Sequence, residues 1–292
     1  LKNIEKTRKT KVGTVIALLK VWRECPHTYV VKEITMKKTY VAMMMAGLMG
    51  TGMMANTALA EELPMGITAS GDIGIASQYV WRGVTQTAGK TAVQGDLGLA
   101  LGGFSIGGWF SNAYPATAPQ FAGRDVVEFD WTASYGGEIG DSGFSYSVGD
   151  ILYTYLYDSA SNFNEVNAGL SYGPVSLTGY YVTSDSKSKF YLAGDMWADL
   201  GVSGSLYGFD LSGTVSYAKW KKNATVRAIG ATNTWKSGVN LITLGMSKGV
   251  TDNLSASLTA TIPVAKKQPD GNRYIYGTAA KNEFVAALNM SY

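Results

Sequence analysis

Glu128 and Asp130, separated only by Phe129, would lie on one face of an extended strand, where two carboxylates can share acid–base work. Asp195 and Asp199 share a strand face with Lys189 and could offer oxygen ligands to a hard cation. Neither set has the partners that hydrolytic chemistry usually needs. Cys25 and His27 are the single cysteine and the single histidine, so residues 61–292 contain neither. Without them no Ser-His or Cys-His nucleophile can be built, because no side chain of near-neutral unperturbed pKa remains to carry the proton. No loop carries the D-x-D-x-D-G calcium spacing, and Asp270-Gly271-Asn272 is a turn signal. Gly71, Gly74 and Gly83 precede no helical pattern and make no phosphate loop. These residues predict no catalytic group, no cofactor and no metal site, and Glu128 and Asp130 read as the polar lining of an interior.

The positioning elements begin after an N-terminal stretch of different character. Met36–Ala60, MKKTYVAMMMAGLMGTGMMANTALA, joins two lysines to an apolar run and an A-x-A end, which predicts a signal peptide cleaved after Ala60. A spanning helix would also fit the length, but the glycines, Asn56 and the A-x-A end favour cleavage. Residues 1–35 read as an over-extended or unstructured N-terminal segment, leaving 61–292 as the folded part. Of 25 basic residues, 10 precede residue 61, against 3 of 22 acidic ones. Residues 61–292 therefore carry 15 basic against 19 acidic groups, net about −4, where the whole chain is +3. Nucleic-acid binding loses its electrostatic basis.

Beyond Pro64 the dominant period is two. Leu254, Ala256, Leu258, Ala260 and Ile262 alternate with Ser255, Ser257, Thr259 and Thr261, and Val127–Tyr135 and Phe209–Tyr217 behave alike. Each such segment has one apolar and one polar face. Twelve begin near residues 67, 91, 104, 125, 143, 163, 174, 189, 208, 237, 252 and 282. Most are longer than soluble strands and suit tilted strands across a bilayer. Connectors such as Gly102-Gly103 and Gly173-Pro174 largely alternate with long ones, the pattern of an all-β, antiparallel up-and-down transmembrane barrel of about 12 strands. A secreted β-sandwich shares the short alternation, but strand length and the aromatic supply favour the barrel.

The first strand and its neighbour carry a resemblance. Tyr79-Val80-Trp81-Arg82-Gly83-Val84-Thr85-Gln86, then Ala92-Val93-Gln94-Gly95, strongly resembles the opening of the TorF-type porin family of bacterial outer membranes. Echoes follow in Gly107–Asn112, Tyr153–Tyr155, Phe163–Glu165 and Leu170–Gly173. The resemblance implies a small barrel in the cell outer membrane with a channel function, and it covers essentially 66–292. The alternating last strand ending at Tyr292 resembles the signal read by the outer-membrane barrel assembly machinery.

With the oily face toward lipid, parity predicts Arg82, Asp96, Glu128, Asp130, Asp150 and Asp210 as lumen lining, with Arg82 held by carboxylates such as Asp96. The mostly acidic set would favour cations. Tyr79, Trp81, Trp131, Tyr217 and Tyr292 are expected as interfacial aromatics. Basic loop residues, among them Lys221, Lys222, Arg227 and Arg273, would meet the phosphates of lipopolysaccharide. The expected function is passive diffusion of small hydrophilic solutes or ions through a narrow pore. The alternative is a non-conducting structural or surface-interaction barrel. Oligomeric state is not set by the pattern.

Overall fold

The computed structural model describes residues 61–113, 126–188, 191–221, 237–267, 271–276 and 278–292, all within the unit Lys37–Tyr292. The expected signal peptide and the segment before it lie outside the described residues. Twelve strands form the wall: β1 Ile67–Ala76, β2 Ala92–Leu101, β3 Phe104–Ala113, β4 Val126–Glu138, β5 Phe144–Leu156 and β6 Phe163–Tyr172, then β7 Val175–Ser184, β8 Met196–Leu206, β9 Phe209–Lys219, β10 Gly238–Gly249, β11 Leu254–Pro263 and β12 Glu283–Ser291. Each is antiparallel to its sequence neighbours, and β1 pairs with both β2 and β12, so the sheet closes on itself. Asp72 stands opposite Asp96 on one side of β1, and Ile73 opposite Met290 on the other. Closure removes every free strand edge, which is what allows strands to cross a bilayer. A short segment, Glu61–Leu63, folds back on the start of β1 where β12 has already ended.

The wall follows from alternation. Leu170, Leu177, Leu200 and Val215 lie side by side on the outside of β6–β9, and all four are exposed. On the inside, Ser176, Gly201, Thr214, Thr243 and Thr261 run side by side around β7–β11. Hydroxyls pair across strands there too: Ser105 with Ser134 at 2.5 Å and Ser145 with Ser171 at 2.8 Å. Apolar side chains outside and hydroxyls inside are the arrangement of a membrane barrel, the inverse of a soluble protein.

All short connectors fall at one end: Gly102-Gly103, Ile139–Gly143, Gly173-Pro174, Tyr207-Gly208 and Val250–Asn253. Every longer one falls at the other. Eleven strands start within two residues of the expected positions. The eighth starts at Met196, seven residues after Lys189, because the chain before it folds as a loop. There Ser186 N–H donates to Tyr191 O at 2.9 Å, and Val182 N–H donates to Asp195 O at 2.9 Å.

Candidate functional site

The turn-side half of the lumen is lined by small hydroxyl residues; the loop-side half is filled. Filling begins right after β1, where Ser77 N–H donates to Ala286 O and Gln78 Nε2 donates to the Glu283 carboxylate at 2.9 Å. These bonds turn the chain inward. Val80–Trp81 and Val84–Thr85 then pair as a small ribbon around Arg82-Gly83. Both turn residues have positive φ, 47° and 78°, the combination of a type I′ hairpin turn. Glycine adopts it freely, and a Cβ on Gly83 would sit 2.7 Å from Leu241 Cδ1 on β10. Arginine pays about 1–2 kcal/mol for it.

What Arg82 reaches offsets that strain. Its Nη1 and Nη2 each donate to one oxygen of Glu165 on β6, at 2.8 Å, and Nη1 also donates to the Tyr276 hydroxyl at 2.6 Å. Tyr153 on β5 donates its hydroxyl to Glu165 Oε2 at 3.1 Å. The guanidinium lies 4.4 Å from the Trp81 ring and 5.0 Å from those of Tyr180 and Trp197. Arg82 is 2% exposed and Glu165 1%. A bidentate, ring-covered pair of this kind has its desolvation cost met by hydrogen bonds on both partners.

Glu165 belongs to the wall opposite β1, five strands away in a circuit of twelve, so the ribbon bridges the lumen. Rings complete the seal. Phe163 stacks between Tyr153 and Tyr191, with centroids at 4.2 and 3.8 Å, and Trp81 stacks on Tyr276 at 4.9 Å. Tyr276 comes from a second small ribbon, Arg273–Ile275 with Thr278–Ala280. The two ribbons, the loop that carries Tyr191 and the inward aromatics of β5–β8 thus make one plug, with an ion pair at its centre.

Beneath the plug the wall is acidic. Asp72, Asp96, Trp109 and Asp130 follow one another in register across β1–β4, and Glu128 lies one inward step above Asp130. The twelve strands contain no arginine and only two lysines, Lys219 and Lys248, both on outward positions.

The family model described as "Bacterial protein of unknown function (Gcw_chp)" matches residues 60–280. The chain belongs to the Gcw_chp family. No curated protein matches it. Among solved structures, this Gcw_chp barrel is similar to a KdgM porin in complex with disordered oligogalacturonate, at 10% identity and a TM-score of 0.45, over 76% of this chain and 99% of that one. It is also similar to an outer membrane channel from Pseudomonas putida F1, at 13% identity and 0.45, over 79% and 96%. A third similar structure is the Salmonella typhi outer membrane phospholipase dimer with bound calcium, at 13% and 0.44, over 79% and 94%. At that level of likeness neither solute nor chemistry passes from one chain to another. The TorF-type resemblance rests on its motif residues alone.

The Gcw_chp barrel distributes the expected residues as follows. Asp96, Glu128 and Asp130 face inward, with Glu128 Oε1 accepting from the Tyr155 hydroxyl at 2.9 Å. Asp210 takes an inward position at the turn-side mouth and accepts from Ser205 Oγ at 2.5 Å. Trp131, Tyr217 and Tyr292 are exposed on the outer side. Three assignments are corrected. Tyr79 and Trp81 are buried inside, not on the lipid-facing wall, because β1 ends at Ala76 and the parity of the wall does not continue past it. Asp150 shares the outward face with Val148 and Leu152 and accepts from Asn164 Nδ2 at 2.8 Å. Arg82 is interior but sits in the plug ribbon, and its partner is Glu165 rather than Asp96.

Asp195 lies in the loop before β8, accepting from Lys221 N–H at 2.9 Å, while Asp199 on β8 accepts from Trp197 Nε1 at 2.8 Å. They do not form one site, and Lys189, Lys222 and Arg227 lie outside the described residues. Glu165, Trp109 and Tyr276 went unassigned from sequence. Glu165 carried a signal: alternation places it with Phe163 and Asn167, an isolated acid on an otherwise buried face.

Proposed function

We propose that this barrel is an outer-membrane channel for passive diffusion of small hydrophilic solutes or ions, closed in this conformation by the plug around Arg82. One observation carries the proposal. A hydroxyl-lined lumen continuous from the turn side ends at a plug whose ribbons and central arginine come from inserted segments packed on the wall aromatics, so the inserted part of the closure can move without unmaking the barrel. The exposed apolar belt supports placement in a bilayer, and the strand length suits it. Barrel assembly machinery acting through β12 and lipopolysaccharide at the loop side belong to the same reading, as does the absence of an enzymatic step. That last point rests on the lack of histidine and cysteine in 61–292. Completeness of the ring packing favours a second reading, a non-conducting barrel that displays its loops. Planar-bilayer recording of the purified chain separates the two. Discrete openings in wild type, or openings gained in Arg82→Ala, support the channel. Silence in both, with the barrel folded, supports the second reading.

A further inference from the structure

We infer that the lumen wall of β1–β4 binds a linear diamine or polyamine, with ammonium groups on two carboxylate pairs; this deepens the channel reading and rests on it. Asp72 and Asp96 stand directly opposite each other, a like-charge pairing that costs stability unless a cation lies between. Asp130 and Glu128 form the second pair on β4. Trp109 on β3 separates the pairs in register, and two strand spacings set Asp96 and Asp130 about 10 Å apart along the wall.

Unsatisfied acceptors converge on this stretch. Asp72 Oδ1 and Asp130 Oδ1 have no partner within the protein, and Glu128 meets only tyrosine hydroxyls and no cation. Asn289 Oδ1 on β12, an uncharged acceptor only 4% exposed, has no partner either. It lies 1.9 Å from where a Cβ on Gly74 would be, so it projects over the inner face of β1 beside Asp72, where only glycine leaves it room. Buried acceptors of this kind call for a donor. The wall supplies no cation, since its two lysines point outward and Arg82 is held by Glu165. Ammonium groups supply both the donors and the charge. A single metal ion fits less well, because no three acidic side chains among the described residues converge closely enough to hold one. A ligand with two charges and an apolar spacer matches two acidic pairs with an indole between them.

The test is calorimetric titration of the purified chain in detergent with spermidine, butylamine and magnesium chloride, each variant first shown to be folded by heat-modifiable electrophoretic migration. Spermidine should bind saturably, with butylamine and magnesium at least about tenfold weaker, since each lost charged hydrogen bond is worth about that factor. Asp96→Asn and Asp130→Asn should each weaken spermidine about tenfold. Asp210→Asn, at the far mouth, should not. If Asp130→Asn does not fold, Asp72→Asn replaces it. Magnesium binding as tightly as spermidine, or equal losses from Asp210→Asn and Asp96→Asn, would reduce the site to diffuse negative potential and overturn the inference. Calorimetry is independent of conductance. Binding without any channel activity would sink the channel reading alone, and conductance without binding would sink the site alone.

Discussion

Removing the Arg82 side chain attacks the plug at its centre. Arg82→Ala deletes three hydrogen bonds, to both Glu165 oxygens and to Tyr276, and leaves Glu165 a buried anion. Breaking a buried pair from one side costs about 3–5 kcal/mol, most of it from the stranded charge. The backbone strain stays, because alanine at φ 47° is no better placed than arginine. The wall should survive, since its ladders do not involve Arg82. The closed-to-open ratio of the plug should therefore fall by about 10²–10⁴-fold. Two assays read this: open probability in planar bilayers, and proteolytic protection of Ser77–Thr91 in the refolded barrel. The double variant Arg82→Leu with Glu165→Leu removes both charges and should recover much of the protection, as apolar replacement of buried pairs commonly does. An Arg82→Ala barrel that loses protection of this segment and conducts no more than wild type would refute the idea that the plug closes the pore. One that keeps full protection would refute the central place given to the ion pair.

Gly83→Ala should loosen the same ribbon by about 1–3 kcal/mol, through positive φ and contact with Leu241, and protease protection should fall accordingly. Adding Leu241→Ala should recover only the steric part. Asp150→Leu should raise stability in vesicles by about 1 kcal/mol, because a lipid-facing carboxylate is replaced by a side chain suited to the belt; a fall in the urea midpoint would place Asp150 in a structural role instead. Tyr292 packs over Gly71 and its N–H donates to Gly71 O at 3.2 Å, so it fastens the seam between β12 and β1. Tyr292→Ala should slow insertion into vesicles, measured by the appearance of the heat-modifiable band, and an unchanged rate would remove the residue from barrel closure.

The barrel was legible where its two faces meet different solvents. In the turn-side half of β5, Ser145, Ser147 and Gly149 point in while Phe144, Tyr146 and Val148 point out, and the period of two is plain. Glycines marked the tight turns for an equally local reason, their freedom at positive φ, as at Gly102 and Gly173. In the loop-side half the contrast disappears. There the inner face meets a plug instead of water, so Ile151 and Tyr153 point inward while Leu152 points outward, and both faces are apolar. Asp150, at the junction of the two regimes, took the inward assignment that polar residues hold lower down. Tyr79 and Trp81 failed through the same loss of contrast: as apolar residues in phase with Ile73 and Ile75, they looked like a continuation of β1.

That loss of alternation carries information of its own. A strand whose inward residues change from hydroxyl to aromatic along its length must meet water at one end and protein at the other, as in β7, where Ser176 and Thr178 give way to Tyr180 and Val182. The change fixes the height of a plug before any inserted segment is identified. An acid within the aromatic part, as Glu165 is beside Phe163, must then find a buried cation. No strand of this barrel carries an inward lysine or arginine, so the cation has to come from a connector on the loop side. Trp81-Arg82-Gly83-Val84 answers that requirement with a tight turn between two β-branched flanks, Val80 and Val84, and no wall position to occupy. Subtraction moves the partner of Glu165 off the wall and into a loop-side connector, and the inserted ribbon is the one that brings it.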